Sequence, residues 1–177
     1  MIIFMGVAGA GKSMQGKMLA DRVGLAWLST GEFFRMLVAG ERRKEMIAGK
    51  LLNDTEVIAL VQKIFVVVDT KQQFVLDGFP RTAAQADWLL SQVKYDQLNV
   101  DCVILIEASE EVVKDRLLSR GRQDDSEDAI TERFKEYRET VLPMLDLFEG
   151  VQIPVHRING DQEVEAVHQD ILSALKK

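Results

Sequence analysis

A glycine-rich run near the start of the chain combines a flexible backbone with a cation and a hydroxyl group. It extends from Gly6 to Ser13 with the spacing G-x-x-x-x-G-K-S. An apolar stretch at 2–5 precedes it and a helical pattern follows it, which is the context that a phosphate-binding P-loop requires. Glycines let successive backbone N–H groups turn inward around an anion, and the next helix presents further free N–H groups. We therefore predict that Lys12 contacts terminal phosphates and that Ser13 coordinates Mg²⁺.

A second set of charged residues could act together with this loop. Asp77 ends an apolar stretch, and a carboxylate at this position orients Mg²⁺ or its waters in P-loop enzymes; the alternative is a cap for the next helix. The planar guanidinium of arginine matches two phosphate oxygens, and several arginines around one crevice would stabilise a transferring phosphoryl group. The alternative for any one of them is a solvated ion pair. The candidates are Arg35, Arg81, Arg116, Arg120, Arg122, Arg133 and Arg138.

The elements that must position these residues alternate between strands and helices. Apolar runs predict five strands, at 2–5, 26–28, 73–77, 100–107 and 151–158. Helices are predicted between them, including 33–39 and 41–48, each ended by a glycine, with a polar loop at 121–128. Pro143 predicts a kink in a long helical segment, and Pro154 predicts that the last strand lies at an edge. The alternation predicts a parallel α/β sheet flanked by helices, with its ligand beyond the carboxyl ends of the strands.

Length, composition and charge restrict the class of protein. The 177 residues are 47% hydrophobic and 28% charged, which is typical of one globular α/β domain. A net charge of −6 argues against a general nucleic-acid-binding protein. The single cysteine, Cys102, excludes an intramolecular disulfide and a multi-cysteine zinc site. No apolar run approaches the ~20 residues that span a membrane, and the first strand begins too near Met1 for a signal peptide, so we expect a cytoplasmic protein.

Several further motifs resemble those of adenylate kinases, within the nucleoside monophosphate kinase family. The run from Ser29 to Arg35 is similar to the family motif S-T-G-[DE]-x-[LF]-R. The run from Asp77 to Gln85 matches D-G-F-P-R-T-x-x-Q without a mismatch, and this signature is highly specific. The arginines between 116 and 133, with Asp124 and Asp125, have the order found around the family's lid, and the 159–161 loop resembles the one beside the ATP base. The resemblance covers nearly the whole chain.

The resemblance implies the reaction ATP + AMP ⇌ 2 ADP with Mg²⁺, no structural zinc, and ATP and AMP as partners. We expect the protein to be a monomer. The resemblance also implies one P-loop NTPase-type domain over 1–177, with an AMP-binding helical insert at 30–53 and a very short lid at 120–128. It assigns ATP binding to Gly9, Ala10, Gly11, Lys12, Ser13, Met14, Arg116, Arg120 and Gly160. It assigns AMP binding to Thr30, Arg35, Lys50, Leu52, Gly78, Arg81, Gln85, Arg122 and Arg133.

The same resemblance divides the chemistry among these residues. Gln85 would recognise the adenine edge of AMP, and Ser13 and Asp77 would hold Mg²⁺ largely through water. The catalytic residues would be Lys12, Arg81, Arg116, Arg122 and Arg133. No strong base is needed, because phosphoryl transfer depends mainly on positioning and charge stabilisation.

Two departures from the family pattern keep alternatives open. In the P-loop, Ser13 and Met14 stand where the family has Gly-Thr, and Ala8 stands where it has Pro. The lid is also very short, since only Gly121 separates Arg120 from Arg122. A nucleotide-binding module without catalytic activity is therefore one alternative. A UMP/CMP kinase is another alternative. The motif P-R-N of that subfamily, where this chain has P-R-T, argues against it. A small-metabolite kinase is disfavoured by the D-G-F-P-R run.

Overall fold

Five parallel strands form the centre of the fold. The structure is a computed structural model, and it describes residues 1–47, 53–122 and 125–176. The sheet order is β2-β3-β1-β4-β5, and the register places Ile2 opposite Val75 and Cys102. The prediction of a five-stranded parallel sheet flanked by helices is therefore confirmed. The strands are β1 (Ile2–Met5), β2 (Ala26–Ser29), β3 (Phe74–Asp77), β4 (Cys102–Glu107) and β5 (Val155–Asn159).

Helices connect the strands, and several begin with a side chain that caps the first turn. The side chains of Asn53, Thr82 and Ser109 each accept a hydrogen bond from a backbone N–H in the first turn of the next helix. None of the helices in the described ranges is long and apolar enough to cross a membrane. They are α1 (Lys12–Val23), α2 (Thr30–Leu37), α3 (Gly40–Ile47), α4 (Asp54–Val67), α5 (Ala83–Lys94), α6 (Glu110–Arg120), α7 (Glu127–Glu136), α8 (Leu142–Gly150) and α9 (Val164–Leu175).

Two apolar layers cover the sheet, one on each face. Along β1, Ile3 and Met5 belong to one layer, and Ile2 and Phe4 to the other. Helices α4, α5 and α8 supply the first layer, and α1, α6, α7 and α9 supply the second. Strands that are buried on both faces read as continuous apolar runs, which is why β1 and β4 could be identified from sequence. The two layers fix the carboxyl ends of the strands along a common edge.

Three predicted boundaries differ from the structure for identifiable reasons. The helix predicted at 33–39 begins earlier, at Thr30, because β2 leads directly into it. The loop predicted at 121–128 is shorter, because Ser126 accepts from the Ala129 N–H at 3.3 Å and starts α7 at Glu127. The strand predicted from 151 begins at Val155, because Pro154 has no N–H to donate. Gly49, the predicted end of the 41–48 helix, lies outside the described residues.

The two proline predictions agree with the structure. Before Pro143 the chain forms a π-helical turn, Tyr137–Val141, which separates α7 from α8. A proline ring clashes with the carbonyl four residues earlier, and a wider turn accommodates it. Strand β5 lies at the edge of the sheet, as predicted from Pro154, whose carbonyl accepts from the Val103 N–H at 2.8 Å.

Two glycines of the P-loop differ in what a side chain would meet, and this predicts unequal stability losses. At Gly6, φ is 136° and an added Cβ would lie 2.3 Å from the Ile106 carbonyl oxygen. At Gly11, φ is 103° but nothing lies within 4 Å of such a Cβ. We expect Gly11→Ala to lose about 1 kcal/mol from backbone strain, and Gly6→Ala to lose about 3 kcal/mol because a clash is added. Urea unfolding measures both, and equal losses would contradict the steric argument.

Candidate active site

An open crevice of about 750 Å³ lies at the carboxyl ends of the strands. It is bounded by the P-loop, the start of α2, the end of β3, the end of α6 and the segment before α9. Lys50 and Leu52 are outside the described residues, as is Asp124. The predicted site residues that line this crevice are Gly9, Ala10, Gly11, Lys12, Ser13, Met14, Thr30, Arg35, Asp77, Gly78, Arg81, Gln85, Arg116, Arg120, Arg122, Arg133 and Gly160.

The P-loop has the backbone geometry that its glycines predict. Gly9 and Gly11 adopt φ values of 92° and 103°, and the Ala10 N–H donates to the Val7 carbonyl at 3.2 Å. The Lys12 Nζ also donates to the Val7 carbonyl, at 2.7 Å, so this side chain lies across the loop. The loop therefore holds an ammonium group over a turn that opens into the crevice.

Burial lowers the pKa of Lys12 to about 8. The Asp77 carboxylate acts in the opposite direction, whereas the guanidinium groups of Arg81, Arg120 and Arg133 lower the pKa further. A lysine surrounded by cations is most stable as an ammonium ion when an anion lies nearby. The electrostatics of the crevice therefore favour a negatively charged ligand.

Ser13 in the first turn of α1 and Asp77 at the end of β3 bring two side-chain oxygens together. The Ser13 hydroxyl donates to Asp77 Oδ2 at 2.5 Å, and Asp77 is only 2% exposed. Hydroxyl and carboxylate oxygens are the ligand type that Mg²⁺ prefers, so the donor set fits this ion. Met14 lines the crevice beside them with its side chain exposed, and a thioether supplies no oxygen. In the described parts of the chain, no three His, Cys, Asp or Glu side chains form a metal-binding group.

Arg35 and Arg81 approach each other beside Gly31. A Cβ at Gly31 would lie 3.4 Å from Arg35 Nη1 and 3.6 Å from Arg81 Nη2. The Arg81 Nε donates to the Gly78 carbonyl at 2.9 Å, and the Thr30 hydroxyl donates to the same oxygen at 2.8 Å. Two guanidinium groups brought together in this way make a cation-rich site that can bind an anion, and their bidentate donors suit a phosphate. This site faces the same crevice as the P-loop.

Gln85 has a partner that sequence reasoning missed. Its Nε2 donates to Asp54 Oδ1 at 2.7 Å, and its Oε1 accepts from the Arg81 backbone N–H at 2.9 Å. The Thr82 hydroxyl donates to the same Asp54 oxygen at 2.8 Å. In the sequence, Asp54 follows the helix cap Asn53 and indicates only a helix start. Its contact with Gln85 depends on the packing of α4 against α5.

Asp125 holds the predicted lid arginines together. It accepts from Arg120 at 2.8 and 2.6 Å, from the Arg122 backbone N–H at 3.2 Å and from Arg133 at 3.3 Å. Burial raises the pKa of this carboxyl group, but the bonds and charges of the arginines outweigh burial and place the pKa below its usual range. Arg120 and Arg133, which come from different helices, are thus fixed beside the crevice.

Two other predicted arginines, Arg116 and Arg138, differ in whether they line the crevice. Arg116 lines the crevice and donates to the Gln162 carbonyl at 3.3 Å. Arg138 is not among the lining residues; it lies 3.6 Å from the Glu110 carboxylate and 5.9 Å from the centre of the Phe134 ring. For Arg138, the alternative of a solvated ion pair is therefore the one that the structure supports.

The 159–161 loop closes the crevice at the β5 edge. The Gly160 N–H donates to the Glu107 carbonyl at 2.6 Å, and a Cβ at Gly160 would lie 2.9 Å from that oxygen. Nearby, Gln15 donates to the Val164 carbonyl at 2.7 Å and lies 3.2 Å from His168 Nδ1. Sequence reasoning missed Gln15, because a glutamine in the first turn of a helix carries no signal of its own.

Comparison with known proteins agrees with this geometry. The family model described as adenylate kinase matches residues 4–153. An adenylate kinase of Corynebacterium urealyticum is 39% identical over 183 residues, covering 99% of both chains. An adenylate kinase of Prochlorococcus marinus is 38% identical over 180 residues, covering 98% of this chain and 96% of the relative. One from Nocardia farcinica is 35% identical, covering 98% of both chains.

These matches bear on the alternatives that the sequence left open. The relatives reported above cover 98–99% of the chain, and all are named adenylate kinase. Neither a UMP/CMP kinase nor a module without catalytic activity is favoured by them. The chain belongs to the adenylate kinase family and is a nucleoside monophosphate kinase.

Proposed function

We propose that the chain catalyses reversible, Mg²⁺-dependent transfer of a phosphoryl group from ATP to AMP, giving two ADP. The observation that carries this proposal is the presence of two cation-rich sites on one crevice. One is the P-loop with Lys12, and the other is the arginine pair, Arg35 and Arg81, beside Gly31. Two nucleotides bound at these sites would present their phosphates to each other across a short, cation-lined gap, which suits phosphoryl transfer.

The P-loop is the proposed donor site. The backbone of Gly9, Ala10 and Gly11 and the Lys12 ammonium would bind the ATP phosphates, with Arg116, Arg120 and Gly160 on the adjoining walls. Met14 would also line the ATP site, but its side chain has no oxygen that could bind Mg²⁺. Ser13 and Asp77 would hold Mg²⁺, largely through water, and the ion supplies neutralisation of charge on the transferring phosphate. The hydrogen bond between Ser13 and Asp77 supports this assignment, since it already brings two oxygen ligands together.

The second cation-rich site is the proposed acceptor site. Arg35 and Arg81 would bind the AMP phosphate, while Thr30, Gly78 and Gln85 would lie along the nucleoside. Thr30 and Arg81 share the Gly78 carbonyl as acceptor, which supports a common role. Segment 30–53 would cover AMP, with Lys50 and Leu52 as contacts; this part of the proposal rests on the family resemblance.

Transfer itself is proposed to depend on positioned cations. Lys12, Arg81, Arg116, Arg122 and Arg133 would surround the phosphoryl group and stabilise its charge as bonds change. Asp125 supports this arrangement, because it fixes one of these arginines and bonds the backbone of another. Segment 120–128 would act as a very short lid. We also propose a cytoplasmic monomer, since the reaction needs the cellular ATP and AMP pool and one chain supplies the described lining of the crevice.

A phosphoryl-transfer assay tests the proposal. Mg-ATP is combined with AMP, CMP, UMP or GMP, and a control contains no acceptor. We expect turnover with AMP and little with the other three. Equal or faster turnover with CMP or UMP would contradict the proposal and favour a pyrimidine acceptor. Tight ATP binding without phosphorylation of any acceptor would favour the binding-module alternative.

Binding of ATP is expected to take up protons near pH 8. The free protein holds the pKa of Lys12 at about 8, and a bound polyphosphate favours the ammonium form and raises that pKa. Around and above pH 8 the complex therefore binds more protons than the free protein, and affinity for ATP falls as pH rises through this window. Calorimetry in two buffers of different ionisation enthalpy measures the uptake. Lys12→Met should abolish it, and identical heats for the unmodified protein would contradict the assignment.

A further inference from the structure

The hydrogen bonds of Gln85 fix which end of its amide points in which direction. Its Nε2 donates to the Asp54 carboxylate at 2.7 Å, and its Oε1 accepts from the Arg81 N–H at 2.9 Å. A carboxylate only accepts and a backbone N–H only donates. Reversal of the amide would place oxygen against oxygen at Asp54 and N–H against N–H at Arg81. Only one orientation of Gln85 therefore satisfies both neighbours.

Asp54 is itself held in place. It is the first residue of α4, and the Thr82 hydroxyl donates to its Oδ1 at 2.8 Å. The Thr82 oxygen in turn accepts from the Gln85 backbone N–H at 3.3 Å, as the cap of α5. Gln85 is only 1% exposed, so an unsatisfied or reversed amide costs more there than in water. The carboxylate thus links the starts of two helices and orients the amide between them.

The two bonds leave a defined edge for a ligand. A glutamine amide has two N–H groups and two oxygen lone pairs. Asp54 uses one N–H and Arg81 uses one lone pair, which leaves one donor beside one acceptor on a residue that lines the crevice. This edge complements adenine, where the N1 acceptor lies beside the 6-amino donor. Hypoxanthine presents the reverse, with an N1–H donor beside a 6-oxo acceptor.

We propose that Asp54 is a positioning residue that sets the specificity for the acceptor base by fixing the orientation of the Gln85 amide. This inference rests on the proposed function, in which Gln85 contacts the base of AMP. Without the carboxylate, the Arg81 N–H alone opposes reversal of the amide. The reversed edge then becomes accessible, and a 6-oxopurine monophosphate is accepted more readily.

The test measures kcat/KM for AMP and for IMP in three proteins: the unmodified enzyme, Asp54→Ala and Asp54→Asn. In Asp54→Ala we expect the AMP-to-IMP ratio of kcat/KM to fall at least about tenfold. The Gln85 amide can then reverse to pair with the base of IMP, so discrimination against IMP is reduced. The loss with AMP should lie in KM, with kcat within about threefold. Asp54→Asn is the matched control: its side-chain oxygen accepts the same two bonds, so the ratio should stay within about threefold.

Each outcome decides the inference. An unchanged ratio in a folded Asp54→Ala protein would overturn it, and so would an equal fall in Asp54→Asn, since charge rather than the hydrogen-bond acceptor would then be responsible. If the alanine variant does not fold, Asp54→Ser replaces it, because serine is well accepted at a helix start and its shorter side chain would not reach Gln85. An unmodified enzyme that phosphorylates AMP no faster than IMP would overturn the proposed function instead.

Discussion

Arg81→Met is expected to lower kcat/KM for AMP by about 10³-fold or more, as for other arginines that stabilise a transferring phosphoryl group. Arg81 is one of the two guanidinium groups beside Gly31, and it also lies near enough to Lys12 to lower the pKa of that lysine. Its removal would take away the proposed bidentate contact to the phosphate and a positive charge that lines the crevice. Stability should fall by only about 1 kcal/mol, from loss of the bond to the Gly78 carbonyl.

Steady-state kinetics at varied AMP, with a thermal melt of each protein, measures this prediction. Arg138→Met is the matched control, because Arg138 pairs with Glu110 on the surface and both side chains are more than half exposed. We expect its activity to stay within about twofold of the unmodified enzyme, since exposed ion pairs contribute little. The activity of Arg81→Lys should be intermediate, because lysine keeps the positive charge but lacks the planar guanidinium group that binds two phosphate oxygens. A loss below about tenfold in Arg81→Met would contradict the proposed role.

Asp125→Ala should cost both stability and activity. The Asp125 side chain is 1% exposed and Arg133 is 12% exposed, so Asp125→Ala removes an acceptor that a largely buried cation shares with Arg120. We expect the free energy of unfolding to fall by about 2 kcal/mol, below the usual cost for a fully buried pair because Arg120 is partly exposed. We expect kcat to fall about 100-fold, because small displacements of catalytic groups have effects of this size.

The pH dependence of unfolding provides a second measurement of the same residue. A carboxyl whose pKa is lowered on folding contributes stability above its unfolded value of about 3.8, and this contribution is lost as pH falls through the lower folded pKa. The stability difference between the unmodified protein and Asp125→Asn should therefore be constant near neutrality and shrink in strong acid. Glu110→Gln, which alters the exposed pair with Arg138, should change stability by less than about 0.5 kcal/mol. A comparable loss in both variants would contradict a special role for Asp125.

The position of the crevice could be predicted because it depends on topology. Parallel strands place their carboxyl ends at one edge, so the P-loop after β1 and Asp77 at the end of β3 had to lie together. The arginines near α6 could be assigned to the same edge by family resemblance. What sequence could not supply was the pairing of Gln85 with Asp54, which are separated by 31 positions. That contact depends on how two helices pack, and neither periodicity nor a motif encodes it.

The lid arginines illustrate a second limit. The nearness of Arg120 to Asp125 in sequence indicates an ion pair, and the structure contains one. Arg133 shares the same carboxylate from eight positions further along the chain, and sequence does not indicate this pair because neighbouring side chains on a helix are three or four positions apart. In the same way, helical spacing between 130 and 148 and Pro143 predicted a break in the regular helix, but not that it takes the form of a π-helical turn at Tyr137–Val141. Local patterns define which side of an element is buried, but not its exact partners.

The position of β1 in the sheet has a consequence for how the protein acquires its activity during synthesis. This strand carries the P-loop, yet its two neighbours, β3 and β4, are formed by residues 74–77 and 102–107. A ribosome that has released only the first seventy residues has therefore released a phosphate-binding motif without the strands that hold it in place. Pairings over such long separations form late. We expect nucleotide binding to appear abruptly once β4 has emerged, rather than to grow with chain length.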